Sequence, residues 1–170
     1  MADRPNYITP AGLAVMRARY QQLFGTDRPQ LVEVISWAAG NGDRSENGDY
    51  VYGRKKLREI DRELGWLAKR MKAAQVVDPA QQPDRGRVHF GATVKIVDEQ
   101  DRERVLTLVG EDETDSSAGR ISWRSPLAWA LRGAAVGDSR RVELPGGACE
   151  YEVLAISYPD AHEVAALSAT

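Results

Sequence analysis

The chain has 170 residues, 42% hydrophobic and 28% charged, with a formal net charge of −2. This is room for one ordinary domain or two small ones; it excludes a disordered tail, and no apolar run approaches the roughly 18 residues of a membrane-spanning helix. A single cysteine, Cys149, and two histidines, His89 and His162, cannot supply an internal disulfide framework, a cysteine zinc site or a three-histidine metal centre. Residues 1–80 hold 13 Lys/Arg against 10 Asp/Glu, and residues 81–170 hold 10 against 15. A basic half joined to an acidic half predicts two domains facing different partners. The N-terminal MADRPNYITP lacks the apolar core of a secretory signal, so a cytoplasmic protein is expected.

The first half predicts two long helices. Thr9-Pro10 is a helix start, a capping hydroxyl followed by proline in the first turn. Leu13, Met16, Tyr20 and Leu23 form an apolar stripe, which resumes at Leu31, Val34 and Ala38 after a gap of eight. Gly25 and Pro29 lie in that gap, and a kink or stutter is expected there. Gly40-Asn41-Gly42 ends this helix. In the second, Tyr50, Leu57, Ile60, Leu64, Leu67 and Met71 fit a heptad with Gly53 at the missing seam position, costing about 1 kcal/mol relative to alanine. Two such seams joined by a short loop fold back as an antiparallel coiled coil. A helix from Ser45 to Ala74 would be about 45 Å long, so the hairpin is expected to project as a stalk.

The predicted domains are a hairpin over 1–77, a linker over 78–87 containing two prolines, and a β-rich domain over 88–158. Strands are expected at Val88–Phe90, Thr93–Val97, Arg104–Val109, Ile121–Trp123, Arg140–Leu144 and Tyr151–Ile156. Pro145-Gly146-Gly147 is a hairpin turn, and Ser125 caps a short helix through Leu131. The fold class is α+β, with an antiparallel sheet carrying one short helix and a frayed tail at 159–170.

No phosphate loop, dinucleotide fingerprint, HExxH motif or nucleophile triad is present. The dense cluster is Gly42-Asp43-Arg44-Ser45-Glu46-Asn47-Gly48-Asp49-Tyr50, at the turn of the hairpin. Asp43 and Glu46 have capping-box spacing, and spacing alone favours that role over metal binding. Two carboxylates are also too few for an octahedral magnesium site. Along the second helix, Arg54, Lys55, Lys56, Arg58 and Arg62 read either as a solvated face or as a strip following a nucleic-acid backbone. His89 is expected to be packed in a strand, and Cys149 to be a small buried residue. Trp123, Pro126, Leu127 and Trp129 read as core, with part of the cluster open to use as a docking patch.

The string PQLVEVISWAAGNGDRSENGDYVYGRKKLREIDREL resembles the hairpin of the bacterial Gre transcript cleavage factors, with GDRSEN at its tip. Arg44, WAA before the tip and KKLREID after it resemble the GreB branch. GRVHFGATVKI, LVGEDE and ISWRSPLAWAL follow the family order in the second half. The resemblance implies a coiled-coil stalk entering the secondary channel of RNA polymerase and an FKBP-like domain holding the channel rim. It implies no enzyme activity of the chain's own. Asp43 and Glu46 would retain a Mg2+ ion shared with the polymerase and orient water for cleavage of backtracked RNA, with Ser45 and Asn47 supporting the tip and no cofactor bound by the chain alone. Arg54, Lys55, Lys56, Arg58 and Arg62 would contact the nascent RNA 3′ end. Arg124, Ser125, Pro126 and Leu127 would dock on the polymerase. The protein is expected to act as a monomer, away from membranes.

Gly48, the glycine-rich approach to the tip and Arg124 depart from the family pattern. They bear on tip preorganisation and on docking. A channel binder that inhibits without promoting cleavage is the alternative. A peptidyl-prolyl isomerase would need an aromatic-lined pocket, and the second domain holds only Phe90 of the two phenylalanines.

Overall fold

The computed structural model describes residues 4–41 and 47–160. Asp43, Arg44, Ser45 and Glu46 lie outside the described residues, as does the expected tail from residue 161 onward. The chain divides into two compact units, residues 14–73 and a second unit combining residues up to Leu13 with those from Ala74 onward.

The helical unit contains most of α1 (Pro10–Gln22), then α2 (Arg28–Ala39) and α3 (Gly48–Ala73). A π-helical turn, Leu23–Asp27, joins α1 to α2 without leaving helical backbone: Gln22, Asp27 and Arg28 all have right-handed helical angles, and Arg28 N–H donates to the Leu23 carbonyl. A π turn inserts one residue into a helix. That insertion absorbs the eight-residue gap in the apolar stripe, one more than a heptad, and is the stutter expected from sequence. Beyond it the buried line is Ile35 and Ala38 with Leu31 half-buried, while Val34 is 51% exposed. The extra residue thus moves Val34 off the seam where the sequence had put it.

On α3 every expected seam position is at least half-buried, and Gly53, Leu64 and Leu67 are buried outright. Gly53 is a point of close approach: a Cβ there would stand 2.7 Å from Ile35 Cγ1. Two ion pairs flank the seam, Arg19–Glu63 at 2.7 Å and Arg28–Asp61 at 2.8 Å. As the partners rise along α3 they fall along the preceding helices, as antiparallel packing requires. With 26 residues, α3 is about 39 Å long.

In the second unit, β1 (Asn6–Ile8) pairs in parallel with β2 (Ala74–Val76). A five-stranded sheet follows, made of β3 (Thr93–Val97), β4 (Glu103–Val109), β5 (Arg120–Ser122), β6 (Ser139–Leu144) and β7 (Gly147–Ser157), in the order β5-β4-β3-β7-β6. All neighbours are antiparallel except β4 and β5, which a crossover makes parallel. Alternation along β3 buries Val94 and Ile96. With Leu106, Leu108, Val142 and Val153 they form the core, onto which α4 (Pro126–Leu131) lays Leu127, Ala128 and Leu131. Ser125 caps α4, its hydroxyl accepting from Ala128 N–H at 3.3 Å. Cys149 is half-buried against this core.

Three expectations change here. Val88–Phe90 is not a strand of the sheet: Val88 is fully buried, and its backbone exchanges hydrogen bonds with Gly133 and Ala134 in the turn after α4. His89 therefore sits outside any strand, its ring 2.9 Å from an Asp84 carboxylate oxygen. The segment expected as a linker is packed: Pro79 is buried, and Arg85 donates to the Tyr158 and Pro159 carbonyls. The N-terminal segment belongs to this unit and not to the hairpin. Tyr7 packs at a tilt on Trp123 (4.8 Å between centroids, 31° between planes) and meets Phe90 edge-on.

The attachment of that segment centres on Glu113. Its carboxylate accepts from Thr9 N–H at 2.8 Å, Gly110 N–H at 3.0 Å and the Thr9 hydroxyl. The same hydroxyl accepts from Gly12 N–H at 3.0 Å and so caps α1. A Cβ at Gly110 would overlap the Tyr7 carbonyl oxygen, so glycine lets the two backbones meet.

Candidate functional site

The connection between α2 and α3 carries the acidic cluster, and the described residues show how its two ends are held. Asn47 stands immediately before α3. Its side-chain oxygen accepts from Tyr50 N–H at 3.1 Å, and its side-chain nitrogen donates to the Ala38 carbonyl at 2.6 Å. The first bond satisfies one of the orphan amides of α3; the second satisfies a late carbonyl of α2. One amide thus ties the end of one helix to the start of the other. Asp43 and Glu46, whose spacing suggested a capping box, lie outside the described residues; α3 begins at Gly48, and Asn47 caps it. An aspartate could accept at this position but could not donate to Ala38, so an amide suits it. Asp49 is exposed in the first turn of α3, where a negative charge complements the helix dipole.

The five cations expected to meet RNA are all exposed. Arg54, Arg58 and Arg62 follow at four-residue spacing, with Lys55 beside them. Lys56 differs. It pairs with Glu59 at 3.3 Å and lies 5.8 Å from the Tyr52 ring centroid. The hydrogen bond that Lys56 donates to Glu59, then the charge of Glu59, raises the Lys56 pKa above the ordinary lysine value. Lys56 is thereby already engaged.

In the second unit, Arg124 carries the charge that the sequence offered for docking. It pairs with Glu111 at 2.8 Å. Ser125 is occupied as the α4 cap and Leu127 is buried, whereas Pro126 is exposed. The docking segment therefore presents one apolar ring and a largely neutralised arginine. Sequence reasoning missed the environment of Trp129, which is 52% exposed with the Arg4 and Arg132 guanidiniums 5.7 and 5.2 Å from its ring centroid. Arg4 is distant in sequence, so no local pattern could have placed it there. Among the described residues no group of His, Cys, Asp and Glu could hold a metal ion, and no helix is long and apolar enough to cross a membrane.

Two family models match in series, one described as "Transcription elongation factor, N-terminal" over residues 6–76 and one as "Transcription elongation factor, GreA/GreB, C-term" over residues 82–158. The chain is 47% identical over 156 residues to a protein named transcription elongation factor GreB from Neisseria meningitidis serogroup B, covering 92% of this chain and 96% of the relative. It is 43% identical to the GreB of Yersinia pestis, covering 91% and 90%. A solved GreA/GreB elongation factor from Nitrosomonas europaea aligns at a TM-score of 0.40 and 22% identity, over 92% of this chain and all of that one. The two matched regions together span both units, and the chain belongs to the GreA/GreB family of transcription elongation factors, in its GreB branch.

Proposed function

We propose that this protein enters the secondary channel of RNA polymerase and stimulates the polymerase's own cleavage of backtracked nascent RNA. The observation that carries the reading is that Asn47, which directly follows Gly42-Asp43-Arg44-Ser45-Glu46 in the sequence, ties the end of α2 to the start of α3 in a chain 47% identical to a GreB. A long antiparallel helix pair carries the loop at its bend.

The polymerase performs the hydrolysis, and this chain contributes groups to it. Asp43 and Glu46 offer oxygen donors suited to Mg2+ and would hold it in part; as two carboxylates they leave an octahedral shell incomplete, and polymerase carboxylates and RNA oxygens would complete it. A Mg2+ held by Asp43 and Glu46 in this way would supply charge stabilisation for an in-line displacement at phosphorus. Asp43 and Glu46 also orient the attacking water: its oxygen bonds to phosphorus as the bond to the leaving oxygen breaks. Ser45 and Asn47 shape the loop. Arg54, Lys55, Arg58 and Arg62 neutralise phosphates of the extruded RNA, with Lys56 the weakest contributor because Glu59 already holds it.

The test is a backtracked complex of the cognate polymerase. Asp43→Asn and Glu46→Gln should each abolish stimulated RNA shortening while polymerase binding stays largely intact. Wild-type shortening in both variants would remove the metal-assistance mechanism. Inhibition of transcription by the native protein with no shortened RNA would identify a channel blocker instead.

A further inference from the structure

We infer that Trp37 and Tyr52, one on each helix of the hairpin, form a stacking platform for unpaired bases of the extruded RNA; this rests on the reading that the hairpin meets backtracked RNA. Trp37 stands in the last turn of α2 and Tyr52 in the second turn of α3. The seam fixes their relation. Ile35 packs on Gly53, and the Ala38 carbonyl meets the Asn47 side chain, so the two aromatics lie at the same level of the helix pair. With Ile35 and Ala38 at seam positions a and d, and Gly53 and Leu57 at d and a, Trp37 and Tyr52 both fall at position c. Antiparallel packing sets the c positions of the two helices on one side. Neither ring is packed away: Trp37 is 66% exposed and Tyr52 62%.

The neighbouring charges choose the occupant. At 100° per residue, Lys55 and Lys56 project about 60° and 40° to either side of Tyr52. Lys56 Nζ lies over the Tyr52 ring, 5.8 Å from its centroid, which orients the phenol and leaves its other face for a base. Rings set among cations hold a single strand without reading its sequence: the cations follow the phosphates, and every base has a face to stack. A protein partner is met by a different composition, since interface cores are depleted of lysine. Extruded RNA is unpaired, so its bases are free to enter such a platform. Stacking also resists sliding of the strand, and so Trp37 and Tyr52 set its register along the hairpin while the cations supply affinity.

The experiment uses backtracked complexes of the cognate polymerase whose extruded RNA carries either natural bases or abasic nucleotides. Full-length protein is titrated, and the concentration giving half-maximal RNA shortening is read. On natural RNA, Trp37→Ala should raise that concentration about tenfold, and Trp37→Ala/Tyr52→Ala further. On abasic RNA the native protein and both variants should be equal. Trp37→Phe, which keeps a ring, should recover part of the loss. A 2-aminopurine placed in the extruded segment should lose fluorescence when native protein is added, and less with Trp37→Ala. Trp66→Ala, also exposed but about 21 Å further along α3, should behave as the native protein does. Thermal melting of the variants should match the native protein, because both rings are exposed. Equal shortening of natural RNA by the native protein and the double variant would overturn the proposal while leaving the functional reading standing. A loss that persists undiminished on abasic RNA would assign the rings to a protein surface and overturn it likewise. Failure of the native protein to shorten either RNA would overturn the functional reading itself.

Discussion

Asn47 satisfies a donor of one helix and an acceptor of another with a single side chain. Asn47→Ala should therefore destabilise the helical unit by about 1 kcal/mol through the lost cap, with a smaller further cost from the lost tie to Ala38, whose carbonyl keeps its bond from Asn41 N–H. Asn47→Asp should restore the cap but not the tie to α2. Urea unfolding of the three proteins should rank native above Asp above Ala. RNA shortening should fall in the same order if the tie from Asn47 to Ala38 positions the segment carrying Asp43 and Glu46. Glu113 is a comparable point in the other unit, its carboxylate accepting from two amides and a hydroxyl. Hydrogen bonds to a charged group contribute about 1.5–3 kcal/mol each, with less lost when water can replace them. Glu113→Ala should lower the unfolding free energy by about 2–4 kcal/mol and speed hydrogen exchange at the Thr9 and Gly110 amides. Neither role is legible from local pattern alone. Asn47 was expected only to support the tip, because the capping-box spacing of Asp43 and Glu46 drew the cap to them, and Glu113 acts on Thr9 across 104 positions of sequence.

Among the elements, α3 permits a paired test of the same substitution in two environments. At Gly53 a new Cβ would stand 2.7 Å from Ile35 Cγ1, whereas at Gly65 nothing lies within 4 Å. Gly65→Ala should stabilise the helix by up to about 1 kcal/mol through propensity alone. Gly53→Ala should reverse the sign, because separating α2 from α3 costs about 1–3 kcal/mol; thermal melting of both variants decides the matter. The Arg19–Glu63 pair gives this unit a pH dependence. The hydrogen bond from Arg19 holds the Glu63 carboxyl below the ordinary glutamate range. A depressed folded-state pKa means that the stabilisation is present above the unfolded value and is lost as pH falls through the folded one. Glu63→Gln should thus melt below the native protein at pH 7, by no more than about 1 kcal/mol because the pair is exposed. The two should converge as pH falls from about 5 to 3. The heptad of α3 was readable because seven seam positions repeat one spacing. The stripe of α2 was misread at Val34 because the π turn shifts phase by one residue, and α-helical periodicity contains no marker for that shift.

At the scale of the molecule, the α+β class and two-part organisation were legible from charge asymmetry and the change of period after residue 76. The assignment of residues to the two parts was not. β1 is three residues long, too short for periodicity to announce, and it finds β2 only because the chain returns 66 residues after Ile8. The polar, proline-containing segment 78–87 reads as a tether, yet Pro79 is buried against Gly91. The Gre motif itself was legible in full, since it is contiguous; the Trp129 cluster was not, since it is assembled from positions 4, 129 and 132.

The parallel pairing of Asn6–Ile8 with Ala74–Val76 has a practical corollary. Both strands belong to one unit, so the helical segment leaves from and returns to the same two-stranded seat. It is topologically a cassette, and residues 14–73 of a relative could be transplanted between Leu13 and Ala74 without disturbing the host's five-stranded sheet. Chimaeras of that kind would let loop chemistry and docking surface be exchanged separately, so that each half's contribution could be measured on a common background.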